Sequence, residues 1–322
     1  EYSDVMVPST EDTNSRLQDL NLIGRAGMYV AGYVDDWAIR LVDDNPTSWR
    51  PLAPGGQSSV SPYLRSGVIR ASYGARYGIL FNNAFLEEPG LDLLYALMAS
   101  GALPVVEKEM VASIGSWHLF EDPDKELIHS ADDGHNLDRY NPDDKDAIFS
   151  FAQIDWAGTD IPSYDFSNLV LGVKNRWLNF TPPIPYGMVP VVPADYRVEL
   201  EKKGVPFSIS TGKVGIVDGK EVPAEEYAPE LEKIVRKGAA RLPVTVGGAS
   251  WSAIRLDESH LRIIMVDPDY VEPSEKLATV RFQGTLPAGV KDILSKEELE
   301  VSGGELKIRI PAGSMRFIDV AY

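Results

Sequence analysis

The chain has 322 residues with 48 acidic against 31 basic side chains, a formal net charge of −17, and no cysteine. The charge argues against a phosphate-backbone footprint or an anionic membrane surface, so neither nucleic acid nor membrane is an expected partner. Without cysteine there are no disulfides, thiolate metal sites or thiol nucleophiles, and no apolar run approaches the roughly 20 residues of a membrane span.

A chain of this length predicts two domains, or one domain with an appendage. It begins at Glu1 with no basic-then-apolar leader, which reads as the loss of something upstream. Leu17, Leu20 and Ile23 recur at helical spacing. Residues 28–34 are apolar and β-prone and predict a strand ending in Asp35-Asp36-Trp37. A loop rich in Pro, Gly and Ser over 43–59 leads to a helix beginning near Pro62 and running to about Ala75. Residues 77–81 predict a second strand ending in Asn82-Asn83. Glu87-Glu88-Pro89 and a helix over 91–100, stopped by Gly101, come next. Strand, polar loop and helix in alternation predict a parallel sheet with crossover helices, and too few strands are present to close a full eight-stranded barrel.

Residues 121–146 read as a long polar surface excursion carrying His135 and many aspartates. Further strands are expected over 169–173 and 186–193, and a helix over 223–238. From Trp251 onward the pattern alternates, with strands over 261–266, 278–282, 305–310 and 315–320. Leu306, Ile308 and Ile310 against Glu305, Lys307 and Arg309 give a period of two, one face in a core and one in water. Turns fall at 303–304 and 311–314, the second expected as a hairpin. The fold class is therefore α/β plus all-β. A partial (β/α)-barrel-like segment over 1–205 is followed, over 206–322, by an antiparallel β-sandwich with one preceding helix.

Reacting groups of βα-repeat proteins sit where strands end at their C-terminal side. Asp35 and Asp36 follow the first expected strand, and Glu87 and Glu88 come soon after the second. Glycoside hydrolysis needs such a pair, one carboxyl protonated to release the leaving oxygen and one ionised to activate water or attack the sugar. Trp37 offers a ring for stacking on a sugar face, and Trp49 and Gln57 are candidates to line a cleft. Asp36 fits a helix cap and Trp37 a packed core ring equally well, and Glu87 and Glu88 suit the first turn of a helix. A polyanionic substrate would need a local basic patch against the −17 charge, and Arg65, Arg70 and Arg76 are spaced along one segment. The adopted reading makes them solvated charges on a helix face. No cofactor is expected. The aspartates of 132–146 have oxygen enough for calcium but lack the EF-hand order, and His135 is a loop histidine near them.

Ser61-Pro62-Tyr63-Leu64-Arg65, the run Tyr73-Gly74-Ala75-Arg76-Tyr77-Gly78, Leu94-Tyr95-Ala96-Leu97-Met98 and Gly101-Ala102-Leu103-Pro104 resemble the late barrel units of large polysaccharide-degrading enzymes. Those nearest in pattern are glycoside hydrolase family 98 and the λ-carrageenase type. Ile184-Pro185-Tyr186-Gly187-Met188-Val189-Pro190-Val191-Val192-Pro193 is similar to the segment that finishes such barrels. Ile310-Pro311-Ala312-Gly313-Ser314-Met315-Arg316 is similar to the closing hairpin of the sandwich.

The resemblance implies a secreted or cell-surface glycosidase of barrel plus sandwich, hydrolysing a carbohydrate polymer, with Asp35 or Asp36 as a barrel carboxylate. Arg65, Asn82, Asn83 and His135 join Trp37, Trp49 and Gln57 as substrate-binding candidates. The missing half barrel implies a second chain or an upstream segment that completes it. With Asn82-Asn83 in place of a carboxylate, the alternative is a non-catalytic carbohydrate-binding or structural subunit. A polysaccharide lyase, using Tyr33 beside Arg65, is the third reading.

Overall fold

The computed structural model describes residues 5–12, 25–26, 29–30, 34–41, 62–80, 89–113, 191–192, 194, 197–203, 207–210, 215–222, 226, 230, 233–234, 237, 240, 242–267 and 274–322. They belong to two compact units, Glu1–Ile114 together with Leu242–Tyr322, and Gly115–Arg241.

The first unit opens with β1 (Ser9–Asp12), β2 (Ala38–Leu41), α1 (Pro62–Ser72), β3 (Tyr77–Leu80), α2 (Pro89–Ala99) and a 3₁₀ turn at Lys108–Met110. The three strands form a wholly parallel sheet in the order β1-β2-β3. Its rows are Ser9, Ala38, Tyr77; Thr10, Ile39, Gly78; Glu11, Arg40, Ile79; and Asp12, Leu41, Leu80. Among the described residues of the strand expected over 28–34, Tyr29 and Val30 are helical and Val34 is outside any strand; the strand starts at Ala38. Packing overrides β-propensity at this point, because the Tyr29 ring is needed as a buried helical side chain, its hydroxyl donating to the Val106 carbonyl at 3.1 Å.

Pro62 occupies the first position of α1, where its missing N–H costs nothing. The helix ends in a Schellman turn, Gly74 N–H donating to Ala71 O at 2.9 Å and Ala75 N–H to Arg70 O at 3.1 Å. Gly74 has φ +93°, and a Cβ there would lie 2.4 Å from Tyr29 Cε1, so no other residue fits. Leu64, Arg65, Val68, Ile69, Arg70 and Ser72 of this helix are all buried. Arg65 and Arg70, each 3 % exposed, are therefore not the solvated helix-face charges expected. A helix buried nearly all round has layers on both sides, and α1 lies between β2 and α2 on one side and an antiparallel sheet on the other.

The second unit contains β4 (Val191–Val192), α3 (Arg197–Lys203), β5 (Ser208–Ser210), β6 (Gly215–Val217) and β7 (Lys220–Val222). They form a sheet in chain order, parallel between β4 and β5 and antiparallel beyond. Asp218 and Gly219 turn β6 into β7 with φ of 51° and 77°, as a two-residue hairpin requires. Glu226, Glu230, Lys233, Ile234 and Lys237 are helical, within the span expected for a helix. The strand expected over 169–173 and the excursion over 121–146 lie outside the described residues.

The chain then returns to the first unit with β8 (Val244–Gly247), β9 (Ser250–Arg255), β10 (His260–Val266), β11 (Lys276–Phe282), β12 (Gly289–Asp292), β13 (Glu297–Glu298), β14 (Glu305–Ile310) and β15 (Met315–Ala321). Two antiparallel sheets result, β13-β12-β15-β10-β9 and β14-β11-β8. On β14 the alternation is as expected, Leu306, Ile308 and Ile310 buried and Lys307 and Arg309 exposed. On β9 and β10 every described residue between Ser250 and Ile254, and between Leu261 and Val266, is buried. Alternation fails there because both faces are covered, one by α1. The turn at 311–314 is present, Ser314 N–H donating to Pro311 O at 3.0 Å, but it is not a hairpin. It carries the chain from β14, paired with β11, to β15, paired with β10 and β12 in the other sheet.

Candidate functional site

The parallel sheet has two unlike edges. At the edge where β2 and β3 begin, Arg76 lies between two carboxylates, its Nε 3.1 Å from Asp36 Oδ1 and its Nη2 on Glu107 Oε2. Backbone bonding fixes the position, because Arg76 N–H donates to the Trp37 carbonyl at 3.1 Å. Tyr29 adjoins the group, and burial pushes its hydroxyl above the ordinary value against the opposing pull of Arg76. Asp36 is thus an ion-pair partner at the N-terminal end of a parallel strand, where barrel proteins place groups that stabilise the fold. Asp35, next to it, is exposed.

Trp37 is fully buried, its Nε1 donating to the Tyr73 carbonyl at 3.1 Å, which leaves no ring face open to a sugar. The hydroxyl of Tyr73 donates onward to the carbonyls of Ser113 and Trp251, at 3.1 and 3.0 Å. Burial raises its pKa. Arg65 donates to the Asp267 carbonyl at 2.7 Å and lies 3.9 Å from the Asp267 carboxylate, which is itself wholly buried. Arg65, Arg70 and Arg76, weighed as a basic patch, form no such surface: two are buried and the third is bracketed by acids.

The opposite edge is where all three strands end in one row, Asp12, Leu41 and Leu80, preceded by the row Glu11, Arg40 and Ile79. Ligands of parallel sheets bind beyond the carboxyl ends of the strands. Along an extended strand the five rises from Asp36 to Leu41 span roughly 16 Å. Carboxyl pairs of glycosidases stand about 5–9.5 Å apart, shorter than this backbone span. Sequence reading passed over Glu11 and Asp12 because Ser9-Thr10-Glu11-Asp12 has no apolar member to mark it as a strand. Glu87, Trp49, Gln57, Asn82, Asn83 and His135 lie outside the described residues, as do Tyr33 and the acidic loop 132–146. Among the described residues, no group of three or more His, Cys, Asp or Glu could hold a metal ion, and no helix is long and apolar enough to cross a membrane.

A second arrangement has the residue types of a catalytic triad without its geometry. Ser259 Oγ and the Asp257 carboxylate both approach the same nitrogen, Nδ1 of His260, at 3.1 and 2.9 Å. A triad needs the acid on one ring nitrogen and the nucleophile on the other. These residues instead close the β9–β10 turn. The Ser259 backbone N–H, and then the His260 side chain, hold Asp257 down to about 2. A depressed carboxylate supports folding above its unfolded value of about 3.9 and loses that support as pH falls through its folded value. NMR titration of the Asp257 carboxyl carbon should therefore give a midpoint near 2, moving part of the way toward the ordinary range in His260→Ala, which removes the ring but keeps the Ser259 backbone N–H.

Together the described elements define a mixed, sheet-rich protein with a parallel strand-and-helix layer packed against antiparallel sheets. Family models for the λ-carrageenase middle domain and C-terminal domain match residues 1–208 and 244–321 respectively. The chain belongs to the λ-carrageenase family. It is 30 % identical over 347 aligned positions to a λ-carrageenase of Pseudoalteromonas carrageenovora, covering 99 % of this chain and 36 % of that protein. With a λ-carrageenase of a Pseudoalteromonas species it shares 29 % identity over the same fractions. The chain thus spans about a third of the length of these relatives. Among solved structures, an apo exo-carrageenase from Bacteroides ovatus aligns at 11 % identity over 82 % of this chain and 38 % of that one. Its TM-score is 0.39, too low to define a common fold.

Proposed function

We propose that this chain is the middle and C-terminal part of an enzyme that hydrolyses the glycosidic bonds of λ-carrageenan or a closely similar sulfated galactan. The observation that carries the reading is the match to λ-carrageenase models on both sides of the chain, 1–208 and 244–321. In this reading the reacting carboxylates line the C-terminal edge of the parallel sheet. Asp12, in the last row of β1, is one. Glu87, in the segment after β3, is the other, and Asn82, Asn83, Trp49, Gln57 and His135 supply sugar contacts.

Further strands beside β1 and β3, from elsewhere in the polypeptide or from a second chain, complete a barrel-like wall. The two antiparallel sheets after 205 face one another as a sandwich. A polymer of this size is met outside the cell, so the enzyme acts as a secreted or surface protein. A lyase is chemically excluded for such a polymer, since β-elimination draws on a proton next to a carboxyl group that a galactan lacks.

The test is incubation of λ-carrageenan with the protein in H₂¹⁸O, followed by mass spectrometry of the fragments. Hydrolysis places one ¹⁸O in each new pair of chain ends. Binding of the polymer without shortening and without label would overturn the proposal in favour of a binding subunit.

A further inference from the structure

The inference that follows takes its ligand, a sulfated galactan, from the reading just given and concerns where else the chain holds it. A chain of net charge −17 repels such a polymer at long range, so contact needs a surface where cations outnumber acids. Arg65, Arg70 and Arg76 do not supply one, being buried or bracketed by acids. The outward face of the sheet β14-β11-β8 does. Alternation sends Leu306, Ile308 and Ile310 of β14, and Ala278, Val280 and Phe282 of β11, into the core. On the other face the register sets Arg309 opposite Leu277, Lys307 opposite Thr279, and Glu305 opposite Arg281. Three cations thus share that face with one carboxylate. Glu305 is engaged by Arg281, Oε1 to Nε 2.8 Å, and Arg309 by Glu275, just before β11. Lys307, midway between Glu305 and Arg309 on β14, is exposed and has no ion-pair partner among the described residues.

The row that Lys307 heads is built of small residues. Thr279 comes next on β11 and Gly247 after it on β8, while Arg281 and Leu277, the latter 56 % exposed, stand on either side of Thr279. A shallow trough roughly 10 Å long therefore crosses the three strands, with an ammonium at one end and an apolar side chain along one wall. We propose that this trough is a second binding surface for the sulfated galactan, Lys307 taking an ester group and Leu277 the apolar face of a sugar ring. Lysine suits the task because it presents a compact charge with rotatable donors, which can follow an anionic group carried at differing places along a polymer. The plainer account is a solvated face whose charges keep the edge strand β14 from pairing with another chain. The two accounts differ in what substitution does to polymer binding.

Native electrophoresis of the full chain through gels containing λ-carrageenan, or the same polymer after desulfation, distinguishes them. Lys307→Glu should weaken retardation by λ-carrageenan by roughly three- to tenfold, since an exposed ionic contact is replaced by a like-charge one. Lys220→Glu makes the same change of charge at an exposed position on β7 and should bind as the wild type does. Thr279→Glu, which sets a carboxylate directly opposite Lys307, should weaken binding too, and it decides the matter if Lys307→Glu does not fold. Retardation of the wild type should fall as salt rises, and the desulfated polymer should retard it less. The inference is overturned if Lys307→Glu and Lys220→Glu bind λ-carrageenan alike, or if desulfation changes nothing. Assaying cleavage in parallel separates this inference from the hydrolase reading. A chain that binds through Lys307 but leaves the polymer uncut keeps the inference and loses that reading, whereas one that cleaves but binds as well without Lys307 loses only the inference.

Discussion

Replacing Arg262 with Met is expected to lower the stability of the first unit by about 3 kcal/mol, as a shift in the urea midpoint. The guanidinium holds four acceptors at once. Its Nε and Nη2 donate to the two oxygens of Asp319, its cross-strand partner, at 2.7 and 3.0 Å. Its Nη1 donates to the carbonyls of Gly101 and Ala102, just beyond the end of α2, at 2.7 and 2.8 Å. Those carbonyls sit at the negative end of a helix, where a cation is favoured. Met fills most of the volume, so the loss reports the unpaired acceptors rather than a cavity. Asp319 is 35 % exposed and can regain water, so Asp319→Asn should cost less, about 1 kcal/mol. Equal losses in the two variants would mean that the carbonyl contacts, and with them the tie between α2 and the antiparallel sheet, contribute nothing.

That tie shows which parts of the fold could be read from the sequence. The strand 305–310 was legible because one face is solvated and period-two alternation survives in the residues themselves. Helix α1 was legible from Pro62 at one end and Gly74 near the other. Its surroundings were not, since the layers that bury Arg65 and Tyr73 come from residues 202 and 178 positions away. The turn at 311–314 was visible as a turn, but the sheet to which it delivers β15 depends on pairings with β10 and β12 that local pattern does not contain.

The same limit changed where two candidate carboxylates lie on the sheet. Residues 28–34 have strand composition, and treating them as a strand put Asp35 and Asp36 at a C-terminal end. The strand in fact begins after them, at Ala38, so the same carboxylates fall at the N-terminal end and engage Arg76. A shift of one element by a few residues moved the motif from one edge of the sheet to the other. Conversely, Glu11 and Asp12 became interesting only once β1 was seen to pair with β2 in parallel, with its end aligned to those of β2 and β3.

The second large effect expected is on catalysis, and it separates the two edges of the sheet. Loss of a carboxylate acting as acid or base lowers kcat by about 10²- to 10⁴-fold. Loss of one partner in a half-exposed ion pair costs only about 1 kcal/mol or less of stability and leaves chemistry untouched. Asp12→Asn should therefore fold like the wild type and lose kcat, whereas Asp36→Asn should keep kcat with a small fall in unfolding temperature. Measuring kcat for λ-carrageenan cleavage in these two variants, with their unfolding temperatures, is the most direct test of the account. The expected result is an inactive Asp12→Asn beside an active Asp36→Asn. A fully active Asp12→Asn beside a folded but inactive Asp36→Asn would contradict it.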